Sequence, residues 1–348
     1  LRVIKGNMLG FSSTADLSKT SLEKLVNAAV STSKARKLPF KYSFPKPGKI
    51  SKVSGIYDKR LDQLSSAKAV ELAYDMIEAS MAYDKKIADN AGVLNLMNYE
   101  TLVLNTHGVS AKNVGTFFEV SLNATAKSGK NVSEGSNATA GRSLKILKPK
   151  DIGKKAAEMA VSGLKSQKLK EDTYTVILDY EPAQGVLGYT AMLVSPMTAK
   201  LYYPLFLDKL GQKVASSQVT LIDDPLMPNG IGSAPVDDEG TPSKKQVIIN
   251  KGILKTFVYD SFYGALEKKK TTGSAVRATF AVGVSAFPGK NYNGEPIPAP
   301  RNPYFEPGKW KREEILEETK QGLLIRRFHY TRLTNPTRGD FTSVLRMG

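Results

Sequence analysis

Residues 92–144 constrain the fold most, because their apolar side chains alternate over long runs instead of recurring every three or four positions. Leu94, Leu96, Thr101 and Val103, then Phe117, Phe118, Val120 and Leu122, mark long strands. Turn residues separate them at Thr106-His107-Gly108 and at Lys127-Ser128-Gly129-Lys130. A period of two broken by such turns predicts an antiparallel β-meander.

Helices are predicted on both sides of it. One spans 21–35, with Leu22, Leu25, Val26 and Ala29 on a shared face. A second spans 66–83, with Val70, Ala73, Ile77 and Met81 at helical spacing. A third spans 151–166, capped by Asp151 and striped by Ile152, Ala156, Met159 and Leu164. The chain opens with a hairpin, Arg2-Val3-Ile4 and Leu9-Gly10-Phe11 around Lys5-Gly6-Asn7. Pro39, Pro45, Pro47 and Gly48 predict a loop after the first helix. Beyond residue 170 strands return: Tyr174-Thr175-Val176-Ile177-Leu178, a hairpin over 246–257 turning at Asn250-Lys251-Gly252, and two strands flanking 335–340. A Pro-rich run over 288–307 reads as a long loop, a kind of segment that is often functional.

At 348 residues the chain exceeds one ordinary domain. The expected class is α+β: a small α/β region over 1–90, the meander with its connecting helix over 91–170, and a β-rich, barrel-like domain over 171–348. The chain starts without Met and stops after a strand-like run, so further residues are expected at both ends, and the last domain is expected to be incomplete.

Composition removes several chemistries. There is no cysteine, hence no disulfide, thiolate nucleophile or Cys-rich metal site, and a cytoplasmic setting is the simplest expectation. No apolar run is long enough to cross a membrane. Only two histidines occur, His107 in a predicted turn and His329 in an alternating strand, and their separation forbids a helical metal-ligand pair. No Gly-x-Ser-x-Gly elbow, Walker loop or dinucleotide fingerprint is present. The formal charge of +17 draws nucleic acid non-specifically, but Lys and Arg are dispersed along the chain, so no specific nucleic-acid partner is expected. Paired acids at Asp223-Asp224 and Asp237-Asp238-Glu239 could bind a cation or raise one another's pKa, yet Pro235, Gly240 and Pro242 favour a solvated loop for the second run.

That second run belongs to a longer pattern: Pro235-Val236-Asp237-Asp238-Glu239-Gly240-Thr241-Pro242, then Val247-Ile248-Ile249-Asn250-Lys251-Gly252-Ile253-Leu254-Lys255. With it go Thr272-Gly273, Tyr304-Phe305-Glu306-Pro307-Gly308, Gly322-Leu323-Leu324-Ile325, and Tyr330-Thr331-Arg332-Leu333-Thr334-Asn335-Pro336 with Gly339-Asp340-Phe341. Upstream, Leu9-Gly10-Phe11 and Gly141-Arg142-Ser143 fit as well. On these residues the chain resembles the TldD/PmbA family, densely after Leu178 and loosely before it.

The resemblance implies one of two kinds of subunit. The TldD kind carries His-Glu-x-x-x-His on a helix and resembles a zinc protease. The TldE/PmbA kind lacks that motif and pairs with the first. The motif should fall within 185–194, where Gly188, Tyr189 and Leu193 stand in place of its histidines and glutamate. None of the three ligates zinc or serves as a carboxylate base. The resemblance therefore implies a metal-free, cofactor-free subunit, inactive alone, whose partner is a TldD-like zinc-peptidase paralogue or a second copy. Their shared cleft would hold unfolded peptides, with Asp237, Asp238, Glu239, Gly240, Thr241, Thr272 and Gly273 as candidate channel residues. Phe206-Leu207-Asp208-Lys209-Leu210-Gly211 also resembles the PmbA kind. Two rival expectations remain: an independent hydrolase using the acidic loop with His329, and a basic nucleic-acid-associated protein of the gyrase-modulator type.

Overall fold

The computed structural model describes residues 1–277 and 292–347, so the first four residues of the expected Pro-rich loop lie outside the described residues. The chain opens with β1 (Arg2–Lys5) and β2 (Met8–Phe11), an antiparallel hairpin turning through Gly6 at φ +60°. Helix α1 (Lys19–Ala35), capped by the Ser18 hydroxyl, lies against β2. Gly10 permits that approach: a Cβ there would sit 1.8 Å from the Ala29 carbonyl oxygen. The short α2 (Lys59–Asp62) and α3 (Ser66–Met81) lead into β3 (Ile87–Leu104), β4 (Ser110–Ser128) and β5 (Asn131–Gly141), then α4 (Pro149–Gly163).

The three strands form the expected meander, antiparallel throughout, with β4 in the centre. Phe118, Val120, Leu122, Ala124 and Ala126 of β4 point into one core, covered by Ile152, Ala156, Ala157 and Ala160 of α4. The helix seats deeply because its contact face is small: a Cβ on Gly135 of β5 would fall 2.2 Å from the Ala160 nitrogen. The helix begins earlier than expected. Pro149 occupies its first turn, no side chain caps it, and Asp151 sits inside that turn rather than at the cap. An acid in the first turn still favours the helix dipole.

Helix α3 buries a different stripe from the expected one. Met76 and Ser80 are buried, with Leu72 packed beside them, whereas Val70, Ile77 and Met81 are exposed. The reason is its neighbour: α3 packs on α4, where Gly153 lies against the Met76 carbonyl, and only small or flexible side chains fit that contact.

The remaining elements are β6 (Val176–Leu178), α5 (Tyr180–Leu193), α6 (Pro196–Leu201), β7 (Leu221–Asp223), β8 (Gln246–Asn250), β9 (Ile253–Leu254), α7 (Ser261–Leu266), β10 (Ala275–Val276), β11 (Ile297–Pro298), β12 (Pro303–Phe305), α8 (Arg312–Glu318), β13 (Leu323–Ile325), β14 (Arg327–Asn335) and β15 (Asp340–Met347). The central sheet has the order β12-β7-β8-β9, while β6 pairs in parallel with β13, and β10–β11 and β14–β15 form separate ribbons. Most of these strands are two or three residues long, and among the described residues they do not close into a barrel. Leu221, Ile248, Ile249, Leu254 and Val258 make their core with Leu193, Val194 and Phe206.

The β8–β9 hairpin turns where expected. Lys251 at φ +46° and Gly252 at φ +81 ° both take the left-handed region, as a two-residue hairpin loop that follows strand twist requires. The Pro-rich segment is not simply a loop, because its described part contributes β11 and β12. Pro303 is tolerated because β12 is an edge strand, where a missing N–H costs no ladder bond. Among the described residues, no helix is long and apolar enough to cross a membrane.

Candidate functional site

The acidic loop is buried rather than solvated. Asp237, fully buried, folds it: Oδ1 accepts the N–H groups of Glu239 (3.0 Å) and Thr241 (2.8 Å), and Oδ2 accepts that of Ala275 (3.1 Å). Asp238 takes the Arg277 N–H at 2.6 Å and pairs with the Arg301 guanidinium at 3.0 Å. Glu239 pairs with Arg2 of β1 at 2.7 Å and accepts both the hydroxyl (2.7 Å) and the N–H (2.8 Å) of Ser261, which opens α7. Gly240 and Gly273 lie at φ +81° and φ +71°, the latter pressed against the Pro242 carbonyl. Thr272 accepts the Tyr259 N–H at 2.6 Å, and the Thr241 hydroxyl oxygen has no hydrogen bond among the described residues. The loop thus ties the N-terminal hairpin, α7 and β10 together.

Burial shifts the acids. It pushes Asp223 up to about 6, against the N–H groups of Asn302 and Arg301 that hold its charge. Burial and then the charge of Glu239 push Asp237 and Asp260 upward as well. A raised carboxyl keeps in the folded chain a proton that the unfolded chain has lost. Stability is therefore full below the usual carboxylate range, near pH 4, and falls as pH rises through 6 and beyond. The Asp223 share is on the order of 2–3 kcal/mol. The urea midpoint is expected to be lower at pH 8 than at pH 5, and an equal or higher midpoint at pH 8 would contradict this account.

Two cavities flank this architecture. Asp238 and Glu239 line one of about 650 Å³ with Arg2, Arg277, Tyr292 and the end of β3. The other, of about 860 Å³, is walled by α5, residues 227–232, β12 and β14. Glu181, Gly185, Gly188 and Met192 reach the second cavity from one face of α5, at spacings of a helical stripe. Tyr189 lines it too, its hydroxyl donating to the Thr331 carbonyl at 2.8 Å. Leu193 does not; it is buried in the C-terminal core. The candidate channel residues and the motif positions thus belong to different surroundings, with Asp238 and Glu239 at the first cavity and Gly188 and Tyr189 at the second.

Two residues at this site escaped the reading of the sequence as functional parts. Glu181, in the first turn of α5, pairs with Arg327 at 3.5 Å. Arg142, 1% exposed, extends from the end of β5 into the C-terminal half. It donates to the carbonyls of Gly230 (3.2 Å), Ile231, Ser233 (3.1 Å) and Thr116 (3.2 Å) and to the Tyr99 hydroxyl (2.6 Å). It therefore fixes the 230–233 segment that walls the larger cavity. Its signal was the Gly141-Arg142-Ser143 run together with Gly230-Ile231-Gly232, glycines on both sides of a close approach.

Zinc does not fit the donors present. The cavity face of α5 offers one carboxylate and no imidazole, and among the described residues no group of three or more His, Asp or Glu is placed to hold a metal. His107 is held elsewhere, its Nδ1 2.9 Å from the Phe44 carbonyl, and His329 lies beside Tyr330 in β14, the rings tilted by 58° with centroids 4.0 Å apart.

Models of PmbA/TldA metallopeptidase domains match the chain in three consecutive parts: domain 1 over residues 1–33, the central domain over 59–164 and the C-terminal domain over 171–348. The chain belongs to the PmbA/TldD family. It is 27% identical to a metalloprotease of Methanocaldococcus jannaschii over 94% of this chain and 70% of that protein. A metalloprotease TldD homolog of Buchnera aphidicola is 26% identical over 93% of this chain and 66% of its own length. The chain thus spans about two thirds of these PmbA/TldD relatives. In structure it resembles TldE from Thermococcus kodakarensis with a TM-score of 0.83, at 24% identity, covering 98% of this chain and 75% of that one, which shows the shared fold.

Proposed function

We propose that this chain is a metal-free subunit of a two-component metalloprotease of the TldD/TldE type, which shapes the assembly and its cleft for unfolded peptides. The observation that carries the reading is the α5 face. The helix that the family resemblance assigns to His-Glu-x-x-x-His presents Gly185, Gly188 and Tyr189 to a large cavity instead. The helix is present, but it offers the cavity no imidazole, and its one carboxylate, Glu181, lies seven residues before the first motif position. Strand β12 beside it, which pairs only with β7 among the described residues, supports the peptide part of the reading, because an extended chain can add to a strand edge through its backbone. The partner is a paralogue that carries the motif, and a second copy of this chain is the other arrangement.

The test is reconstitution. The protein alone should hold no stoichiometric zinc after dialysis and leave unfolded peptides intact. Mixed with a motif-bearing paralogue from the same organism, it should form a stable complex that cleaves them. Cleavage should vanish when the paralogue's motif glutamate is replaced and survive replacement of His107 or His329. Peptide cleavage by the isolated protein in the presence of a chelator would overturn the reading in favour of an independent hydrolase.

A further inference from the structure

The larger cavity has a character that the subunit role alone does not require. Glycine inside a helix is unfavourable relative to alanine, because it orders a freer backbone and buries nothing. Most buried glycines in this fold have a packing reason, such as Gly10, Gly135 and Gly153, where an added Cβ would strike backbone. Gly185, which is exposed, and Gly188, which is half-buried, have none: a Cβ at either would meet no atom of the described residues within 4 Å, and both positions line the cavity. Their bareness keeps about one helical turn of the wall open, and nothing in the described residues fills it.

The rest of the lining says what the space suits. Met192, Met227, Ile231, Tyr304 and Phe328 supply apolar and aromatic wall. Of the charged groups there, Glu181 pairs with Arg327 at 3.5 Å, and Arg301 pairs with Asp238 at 3.0 Å through one terminal nitrogen, its other two guanidinium nitrogens being buried without a hydrogen bond among the described residues. With each cation already beside a carboxylate, the wall carries little net charge, and a neutral apolar group gains by burial against it. On the open side β12 pairs only with β7 among the described residues, so a backbone edge runs along the same wall. A volume of about 860 Å³ accommodates a bulky side chain together with the short stretch of extended chain that carries it.

We propose that the cavity between α5, β12 and the 227–232 segment is a side-chain pocket that takes a large uncharged residue, aromatic or long aliphatic, from an extended peptide lying along β12. This rests on the peptide-holding reading of the preceding section and adds its selectivity. Gly185 and Gly188 line it on the α5 side. Residues 227–232, anchored by Arg142, form the opposite wall.

The probe is a set of short acetylated and amidated peptides of glycine, serine and threonine with one variable central residue, titrated by fluorescence anisotropy against this protein alone. Phe-, Leu- or Met-centred peptides should bind about tenfold or more tighter than Asp-, Lys- or Gly-centred ones. Gly188→Leu should erase the preference by filling the pocket. Gly185→Ala and Gly188→Ala should raise or preserve the melting temperature while weakening the Phe-centred peptide, a combination that a purely structural glycine would not give. These alanine variants keep the test decisive if the leucine variant folds poorly. Absence of binding, absence of a central-residue preference, or a preference unchanged in the glycine variants would overturn the proposal. Cleavage by the reconstituted complex is read separately, so loss of the pocket would leave the subunit reading standing, and loss of cleavage would leave the pocket measurable.

Discussion

Arg142→Met is expected to lower the unfolding free energy by about 4 kcal/mol or more, and to weaken peptide binding in whatever fraction stays folded. The size follows from the environment of the guanidinium. Arg142 is 1% exposed and has no acidic hydrogen-bond partner among the described residues; four carbonyl oxygens and the Tyr99 hydroxyl answer its charge. Methionine fills much of the space but leaves the carbonyls of Thr116, Gly230, Ile231 and Ser233 with one donor fewer in a dry site. Each loss costs on the order of 1–3 kcal/mol, with strong non-additivity because one side chain serves them all. Lysine should recover less than half of the loss, since an ammonium on a flexible stem cannot reproduce a planar fork aimed at several oxygens. Urea unfolding of the three proteins at one pH checks both statements. An Arg142→Met variant within about 1 kcal/mol of the parent would mean that the 230–233 segment is held by other contacts.

That arginine also marks a limit on what a sequence discloses. The meander was legible because alternation is a local signal, and the buried positions of β4 repeat it along the whole strand. The partners of Arg142 in the C-terminal half lie 88 to 91 residues away, and no period announces them. Helix α3 shows a second limit. Its sequence carries two stripes, Leu72-Met76-Ser80 and Val70-Ala73-Ile77-Met81, and helical spacing alone does not choose between them. The close seat against Gly153 of α4 selects the smaller stripe and leaves Tyr74 and Val70 more than half exposed. The acidic loop misleads for a related reason. A run of charge between prolines and a glycine reads as solvated, yet Arg2, Ser261 and several backbone N–H groups meet these acids from distant parts of the chain. The glycines of α5 were legible as departures from a zinc motif, but their open surroundings belong to the fold alone.

Glu239→Leu is the second large effect expected, a loss of about 3–5 kcal/mol at neutral pH. The Glu239 side chain is fully buried and its Arg2 partner nearly so, so removing one member leaves an uncompensated cation where water cannot reach it well. The Ser261 hydroxyl and N–H lose their acceptor at the same time, loosening the start of α7. Arg2→Met should be similarly costly alone, because it strands the carboxylate instead. The double variant Arg2→Met with Glu239→Leu should recover much of either loss, since two apolar side chains together need no counter-charge. A second readout separates electrostatics from packing. The charge of Glu239 is part of what pushes Asp237 and Asp260 upward. Without it, both acids release their protons at lower pH in the folded chain, closer to where the unfolded chain does. The difference in proton uptake between the two states then shrinks, and so does the fall in stability from pH 5 to pH 8. Glu239→Gln, which keeps the shape and an acceptor oxygen, should flatten that pH profile while costing less than Glu239→Leu at neutral pH. An undiminished slope in Glu239→Gln would show that Glu239 does not set the protonation of its neighbours, and the buried loop would then owe its pH response to desolvation alone.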